Sequence, residues 1–270
     1  GILTGNRVIS NTAGDNGGGL ALFDETFTLT GNEVLYNTTG GNGGGIHLQY
    51  ANAVTLTRNV LQANHADNWG GALHANTNPN FTGGSNVIAE NTAGAAGGGL
   101  YLRSTPMQLY HTTLVSNGDI GVYVESVTVA LTNTIVASHT VGISGTATIE
   151  GVLWYANVDD TQGATTVTRS TTGDPAFVDP INGDYHLTVA SPAADVGVLL
   201  TPAWADIDGE QHSTYAPDLG ADETSALQIT KRGPSLANIG APITYTLTIT
   251  NTGVPTSDLL IADTLPNNAT

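Results

Sequence analysis

Along the first half of the chain, apolar and polar residues alternate in short runs that return at a fixed interval. Leu20-Ala21-Leu22, Ile46-His47-Leu48, Leu73-His74-Ala75 and Leu100-Tyr101-Leu102 each follow a glycine run, the clearest being Gly17-Gly18-Gly19, Gly43-Gly44-Gly45 and Gly97-Gly98-Gly99. Alternation of period two predicts strands, with the outer residues of each triplet facing a core and the middle one facing water. Phe27-Thr28-Leu29-Thr30 and Val54-Thr55-Leu56-Thr57 read as a second strand of each repeat. A third lies in Asn6-Arg7-Val8-Ile9-Ser10-Asn11, which recurs as Asn32–Asn37, Asn59–Asn64 and Asn86–Asn91, then more weakly as Thr112–Asn117 and Asn133–Ser138. The last positions of these copies, 11, 37, 64, 91, 117 and 138, are 26, 27, 27, 26 and 21 residues apart. No helical stripe competes. Three short strands per coil of about 21–27 residues predict a parallel β-helix over residues 1–156, its coils stacked about 4.8 Å apart.

Stacking places like residues in columns. Val8, Val34, Leu61, Ile88, Leu114 and Ile135 are expected to form one inward column, and Leu20, Ile46, Leu73, Leu100 and Val122 another. One coil cannot bury its own apolar face, so the stability of such a body comes from its neighbours. The glycines have two expected tasks: a positive φ at a sharp corner, and room where a side chain would strike the next coil. Asn11, Asn37, Asn64, Asn91 and Asn117 are expected to form a structural ladder at another corner, their amides bonding along the axis.

After Thr112 the coils shorten and lose the long glycine corner, and the helix is expected to end near residue 157. Residues 157–224 are a different kind of segment, rich in Asp-Pro and Asp-Gly turns; 12 of the 23 acidic residues fall between 157 and 223, against the single base Arg169. This segment is expected to cap the open end of the stack and hide its strand edges. Residues 225–270 carry longer strand patterns, Leu227–Lys231, Ile243–Thr250 and Leu259–Asp263. These about 45 residues supply half of a sandwich that needs roughly 100.

Three resemblances follow from these residues. The pattern Asn11-Thr12-Ala13 through Gly17-Gly18-Gly19-Leu20 resembles the repeats of right-handed parallel β-helix proteins of bacterial surfaces, the polymorphic outer-membrane and adhesin-like families. In the acidic segment, Asp174-Pro175-Ala176-Phe177-Val178-Asp179-Pro180, Gly183-Asp184-Tyr185-His186-Leu187, Ser191-Pro192-Ala193-Ala194-Asp195, Asp206-Ile207-Asp208-Gly209 and Asp218-Leu219-Gly220-Ala221 occur in that order. Together they resemble the choice-of-anchor closing module of such proteins, departing from it at Gln211 and Asp222. The last segment, with Gly240-Ala241-Pro242, Asn251-Thr252-Gly253 and Asp263-Thr264-Leu265-Pro266, is similar to an immunoglobulin-like repeat of bacterial wall proteins. The resemblances imply a right-handed coil and an extracellular or cell-surface location.

Charge narrows the partners. A net charge of −17, from 6 Lys and Arg against 23 Asp and Glu, argues against nucleic acid and anionic membranes. The chain has no cysteine, hence no disulfide and no thiolate metal site. No segment has the length of a membrane-spanning helix, so membrane insertion is not expected. Ile2-Leu3-Thr4-Gly5-Asn6 aligns with Thr28-Leu29-Thr30-Gly31-Asn32, so the first coil opens part-way round. The expected partner is therefore either the rest of a longer surface protein or another copy, stacking head to tail into a filament.

Candidate chemistry is sparse, and no cofactor is required. His47 and His74 share an outward column with Ala21, Tyr101 and Tyr123, near His65 and Asp67. Two imidazoles make an incomplete metal site, and a solvated surface ladder is the simpler expectation, with a shallow sugar-binding surface as its functional alternative. Asp206, Asp208, Asp218 and Asp222 offer the oxygen ligands calcium prefers, but turn-forming aspartates explain them as well. Polysaccharide lyases and hydrolases also use β-helices. Here Arg7, Arg58 and Arg103 fall at different repeat positions, and Asp24, Glu25, Asp67, Glu90 and Asp119 scatter likewise, so no catalytic set converges. The sequons at Asn37, Asn80 and Asn268 carry little weight in a chain this rich in Asn and Thr. The expected role is a non-catalytic extracellular structural protein, with a glycan-binding adhesin as the alternative and a polysaccharide-degrading enzyme as the third reading.

Overall fold

The computed structural model describes residues 1–224, 227–234 and 242–251. The chain forms two compact units, Gly1–Thr224 and Ser225–Thr270. The first is an all-β parallel solenoid. Ile2–Thr4 pairs with Thr26–Thr30, which pairs with Ala53–Thr57, and so on through Phe81–Gly84 and Met107–Tyr110. Leu20–Phe23, Ile46–Gln49, Leu73–Asn76 and Leu100–Arg103 stack as a second face. Arg7–Ile9, Glu33–Leu35, Val60–Gln62, Val87–Ala89 and Thr113–Val115 form the third. A fourth, two-residue strand, such as Thr38–Thr39, precedes each long glycine corner.

The interior is a set of apolar columns. Leu3, Leu29, Leu56, Gly83, Leu109, Leu131, Ile149 and Val167 lie in register on one face. Leu20, Ile46, Leu73, Leu100 and Val122 stack as expected, with Ile143 above them. On the third face Val8, Val34, Leu61, Ile88 and Leu114 are followed by Val136, not by Ile135. Ile135 pairs instead with Thr113 and points outward. The slip arises because Asn133 occupies the left-handed corner position (φ 55°) that Gly31, Arg58, Ser85 and His111 occupy in earlier coils. Asn tolerates that conformation best among non-glycine residues, which makes it resemble the ladder residue that normally follows.

The corners explain most of the sequence's polarity. In each of the first coils a left-handed residue, such as Ala63 (φ 54°), is followed by an asparagine whose side chain bonds to the next coil. Asn64 Oδ1 accepts from both the backbone and side-chain nitrogens of Asn37, while its Nδ2 donates to Asn91 Oδ1 and to the carbonyl of Val34. The ladder Asn11, Asn37, Asn64, Asn91 and Asn117 then continues through His139, one residue beyond Ser138, to Asn157. A second ladder, absent from the sequence reading although its residues open the same motif, joins Asn6, Asn32, Asn59 and Asn86.

The glycine run divides the two expected tasks between neighbours. Gly17, Gly43, Gly70 and Gly97 have φ between +66° and +77°, while Gly44 sits where a Cβ would lie 2.5 Å from the carbonyls of Gly71 and His65. Gly44→Ala is expected to cost about 3 kcal/mol, because the obstacle is backbone of adjacent coils that cannot move alone. Gly31→Ala, at φ +62° with open space around the new methyl, should cost only about 1 kcal/mol. Thermal melts of the two variants check this, and equal losses would contradict the steric account.

The parallel stack does not stop near residue 157. Asp159–Gln162 and Thr165–Thr172 pair with Val141–Tyr155 and form one more coil. From Gly173 to Thr224 the chain returns along the outside of the third face instead of covering the end of the stack. The outward residues Val87, Ala89, Val115, Ile135, Ala137 and Leu153 form a second core with Tyr185, Leu187, Ala193, Leu219 and Ala221. Val87-Ile88-Ala89 is apolar throughout because both its faces are buried, whereas Arg7-Val8-Ile9 begins with an exposed base.

In the second unit Leu227–Arg232 and Thr246–Asn251 form an antiparallel pair. The strand expected over Leu259–Asp263, most of the Gly240–Pro242 and Asn251–Gly253 turns, the Asp263–Pro266 turn and the Asn268 sequon lie outside the described residues.

Candidate functional site

Between Gly173 and Thr224 the strands form a short antiparallel pair, Phe177–Asp179 and Asp184–Leu187. A single 3-10 turn, Pro180–Asn182, joins them, with Gly183 left-handed (φ 82°) behind it. Alternation in Asp184–Leu187 buries Tyr185 and Leu187 against the solenoid and leaves Asp184 and His186 on the other side. Tyr185 donates its hydroxyl to Glu90 Oε1 (2.9 Å), and Gln62 donates to the other oxygen of that carboxylate (3.1 Å).

Between this pair and the solenoid flank lies an open cleft of about 450 Å³, with Tyr155, Tyr185, Phe177, Pro175, Pro180 and Ile181 on its walls and Val115 and Ala137 below. Phe177 and Tyr185 meet edge to face, 5.3 Å between ring centres. Tyr155 donates to Asp174 Oδ2 (3.1 Å), and Ala176 N donates to Asp174 Oδ1 (2.9 Å). The hydrogen bond to Asp174 raises the Tyr155 phenol above its ordinary range; burial, then the Glu90 bond, does the same for Tyr185. Both phenols therefore stay protonated at neutral pH. The cleft presents apolar ring surface beside carboxylates and hydroxyls whose positions are fixed, with Ser116 and Ser138 at its edge. Such a lining suits a ligand with an apolar face and a ring of hydroxyls, and disfavours an anion.

Of the acidic residues considered for calcium, Asp206 and Asp218 hold turns. Asp206 Oδ1 accepts the backbone N–H groups of Asp208, Gly209 and Glu210, and Asp218 accepts those of Asp195 and Thr224. Burial, then nearby Glu223, pushes Asp218 up to about 7 against those two bonds, which favour its charged form. Asp208 and Asp222 come together, joined by His186 and without the other two.

His47 and His74 are not solvated. They are 2% and 5% exposed and stack with ring centres 4.9 Å apart and planes nearly parallel, at 3°. Tyr101 and Tyr123 continue the pile, and Trp69, from the preceding turn, lies beside His74 and Tyr101. Alternation fixes the side of the strand, but this covering turn decides burial. The faces of His47, His74 and Tyr101 are spent on one another, while Trp69 beside them is 39% exposed and Tyr123 half-buried. Burial lowers His47; burial, then His47 and Arg103, lowers His74 to about 3, so a neutral pair shares one Nδ1···Nδ1 hydrogen bond of 3.2 Å. His65 pairs elsewhere, with Asp67 and Thr92.

One constellation escaped the sequence reading because its members are far apart in the chain. Ser85 Oγ is 3.4 Å from His212 Nε2, and His212 Nδ1 is 2.9 Å from Glu223 Oε2, the order of a serine nucleophile, base and orienting acid. Ser85 is 0% and His212 2% exposed, and His111 stacks on His212 at 3.7 Å. A sealed serine reaches no substrate, so these groups key the 173–224 segment to the solenoid. Burial, then His212, lowers His111 to about 3.

Arg7 and Arg103 pair across coils with Glu33 and Glu125, and of Asp24, Glu25, Asp67, Glu90 and Asp119 only Glu90 lines the cleft. No protein-family model matches the chain, and no curated protein matches it either.

Proposed function

We propose that this chain is a non-catalytic structural solenoid of the extracellular or cell-surface kind, and that the cleft around Tyr155 and Tyr185 binds a neutral or amino-bearing saccharide. The observation that carries the reading is the pairing of apolar ring surface with two carboxylates, Glu90 and Asp174, each held in place by a tyrosine hydroxyl. Sugars offer an apolar C–H face and equatorial hydroxyls, and a wall of this kind meets both. The carboxylates add a preference for amino sugars over uronic acids, in keeping with the net charge of −17. Continuous apolar columns and amide ladders support the structural role, since they make the body rigid along its axis.

The hydrolase alternative draws on the same two carboxylates, so one experiment separates the readings. A glycan array followed by calorimetric titration of the best hit should give saturable binding that weakens at least tenfold in Tyr155→Ala, with no new reducing ends or unsaturated products. An empty array, or binding indifferent to Tyr155→Ala, contradicts the saccharide site. Sustained product release would make the pair catalytic.

A further inference from the structure

On the side of Asp184–Leu187 that faces away from the solenoid, His186 meets two carboxylates from distant parts of the chain. Its Nε2 lies 3.1 Å from Asp208 Oδ2, and one ligand atom each from His186, Asp208 and Asp222 fall within 4.8 Å of one another. Each of the three is positioned by something else. Asp184 Oδ1 holds His186 Nδ1 at 2.5 Å. Leu187 N donates to Asp222 Oδ2 at 2.7 Å, and Asp222 is 7% exposed. Asp206 fixes the turn that carries Asp208 by accepting its amide and the next two.

The decisive atom is His186 Nε2. It is shielded from solvent and makes no hydrogen bond, although Asp208 Oδ2 lies 3.1 Å away and a carboxylate oxygen of Asp222 within 4.8 Å. An imidazole with a carboxylate on Nδ1 has its tautomer fixed and its Nε2 lone pair made more basic, the arrangement that supports a metal-bound histidine from behind. We infer that His186, Asp208 and Asp222 bind a divalent first-row transition ion, zinc being the reference case. One imidazole and two carboxylates make a three-ligand set with a position left for water, as zinc accepts. Calcium takes six to eight oxygens, and here Asp206 and Asp218 are engaged with backbone amides instead. The ion would clasp the strand Asp184–Leu187, the turn at 206–210 and the end of the segment at Asp222, three pieces with little regular structure between them. This site stands apart from the saccharide reading and does not depend on it.

The test uses the full chain after chelator treatment, with zinc, cobalt or calcium chloride added singly. Zinc should raise the melting temperature by several degrees, calcium at the same concentration should not, and cobalt should give visible absorption at one equivalent. His186→Gln should remove the cobalt spectrum and weaken zinc at least 100-fold, Asp184→Asn should weaken it about tenfold, and His65→Gln should change nothing. Circular dichroism of His186→Gln confirms that the variant has folded. If it has not, Asp208→Asn, on an exposed turn, takes its place. The inference is overturned if the native chain shows neither shift nor spectrum, if calcium replaces zinc, or if the spectrum survives in the folded His186 or Asp208 variant. The first of these outcomes would leave His186 as a charged bridge among carboxylates without a metal.

Discussion

Asn64→Ala is expected to destabilise the solenoid by about 3–5 kcal/mol, far more than a polar-to-alanine change at a surface turn. Asn64 is fully buried, and its amide makes four hydrogen bonds along the stack. Removing it takes the acceptor from Asn37 N and one partner each from the Val34 carbonyl, from Asn37 Nδ2, which keeps the Val8 carbonyl, and from Asn91 Oδ1, which keeps Asn64 N. Each buried group left without a partner costs about 1–3 kcal/mol, and the coils are too closely stacked to relax towards one another. Asn64→Asp should be at least as harmful, because a carboxylate cannot donate to either acceptor and brings a charge into the interior. Asn11→Ala, at the exposed first coil, should cost about 1 kcal/mol or less. Denaturant midpoints of the three variants check the gradient, and equal shifts for Asn11 and Asn64 would remove the ladder from the account of stability.

The ladder also shows where residue pattern suffices and where it fails. Coils of near-constant length put Asn11 to Asn117 in one column, and the structure keeps them there. When the glycine corner is lost after Asn117, the spacing no longer fixes register, and the imidazole of His139 takes over a position that Asn fills below it. The second core was legible in principle, since a run such as Val87-Ile88-Ala89 without polar alternation requires cover on both sides. What supplies the cover was not: Tyr185, Leu219 and Ala221 reach that face through turns that carry no periodicity. The cleft has the same origin, with Glu90, Tyr155, Asp174 and Tyr185 contributed by two coils and a returning segment. Spacing in sequence cannot foretell such a meeting. The acidic residues mislead for a local reason: an aspartate that caps a turn and one that binds a cation look alike until the amides around them are placed.

Lowering the pH from 7 to 5 should destabilise the first unit by a few kcal/mol, and buried histidines are the cause. His74 and His111 are lowered to about 3 and His139 to about 4, with burial the largest cause in each, while His47 is lowered as well. An imidazole whose folded pKa lies below its ordinary value of 6.5 takes its proton first in the unfolded chain. Its contribution is therefore intact above pH 6.5 and is lost progressively as the pH falls towards the folded value, by about 2 kcal/mol per site at pH 5. Three groups act in the opposite direction. Asp218, up to about 7, takes its proton first in the folded chain and offsets about as much as one histidine over the same interval. Asp222, raised chiefly by burial, and His186, lowered by burial but raised overall by Asp184, Asp222 and Asp208, add to that offset. The surroundings of His74 sharpen the test: it faces His47, Trp69, Tyr101 and Arg103 and no carboxylate that would welcome a proton. His74→Gln should therefore be less stable than the native chain at pH 7.5, yet lose about 2 kcal/mol less on going to pH 5. Melting curves of both proteins across that range decide the matter, and parallel slopes would show that this buried pair does not set the acid sensitivity.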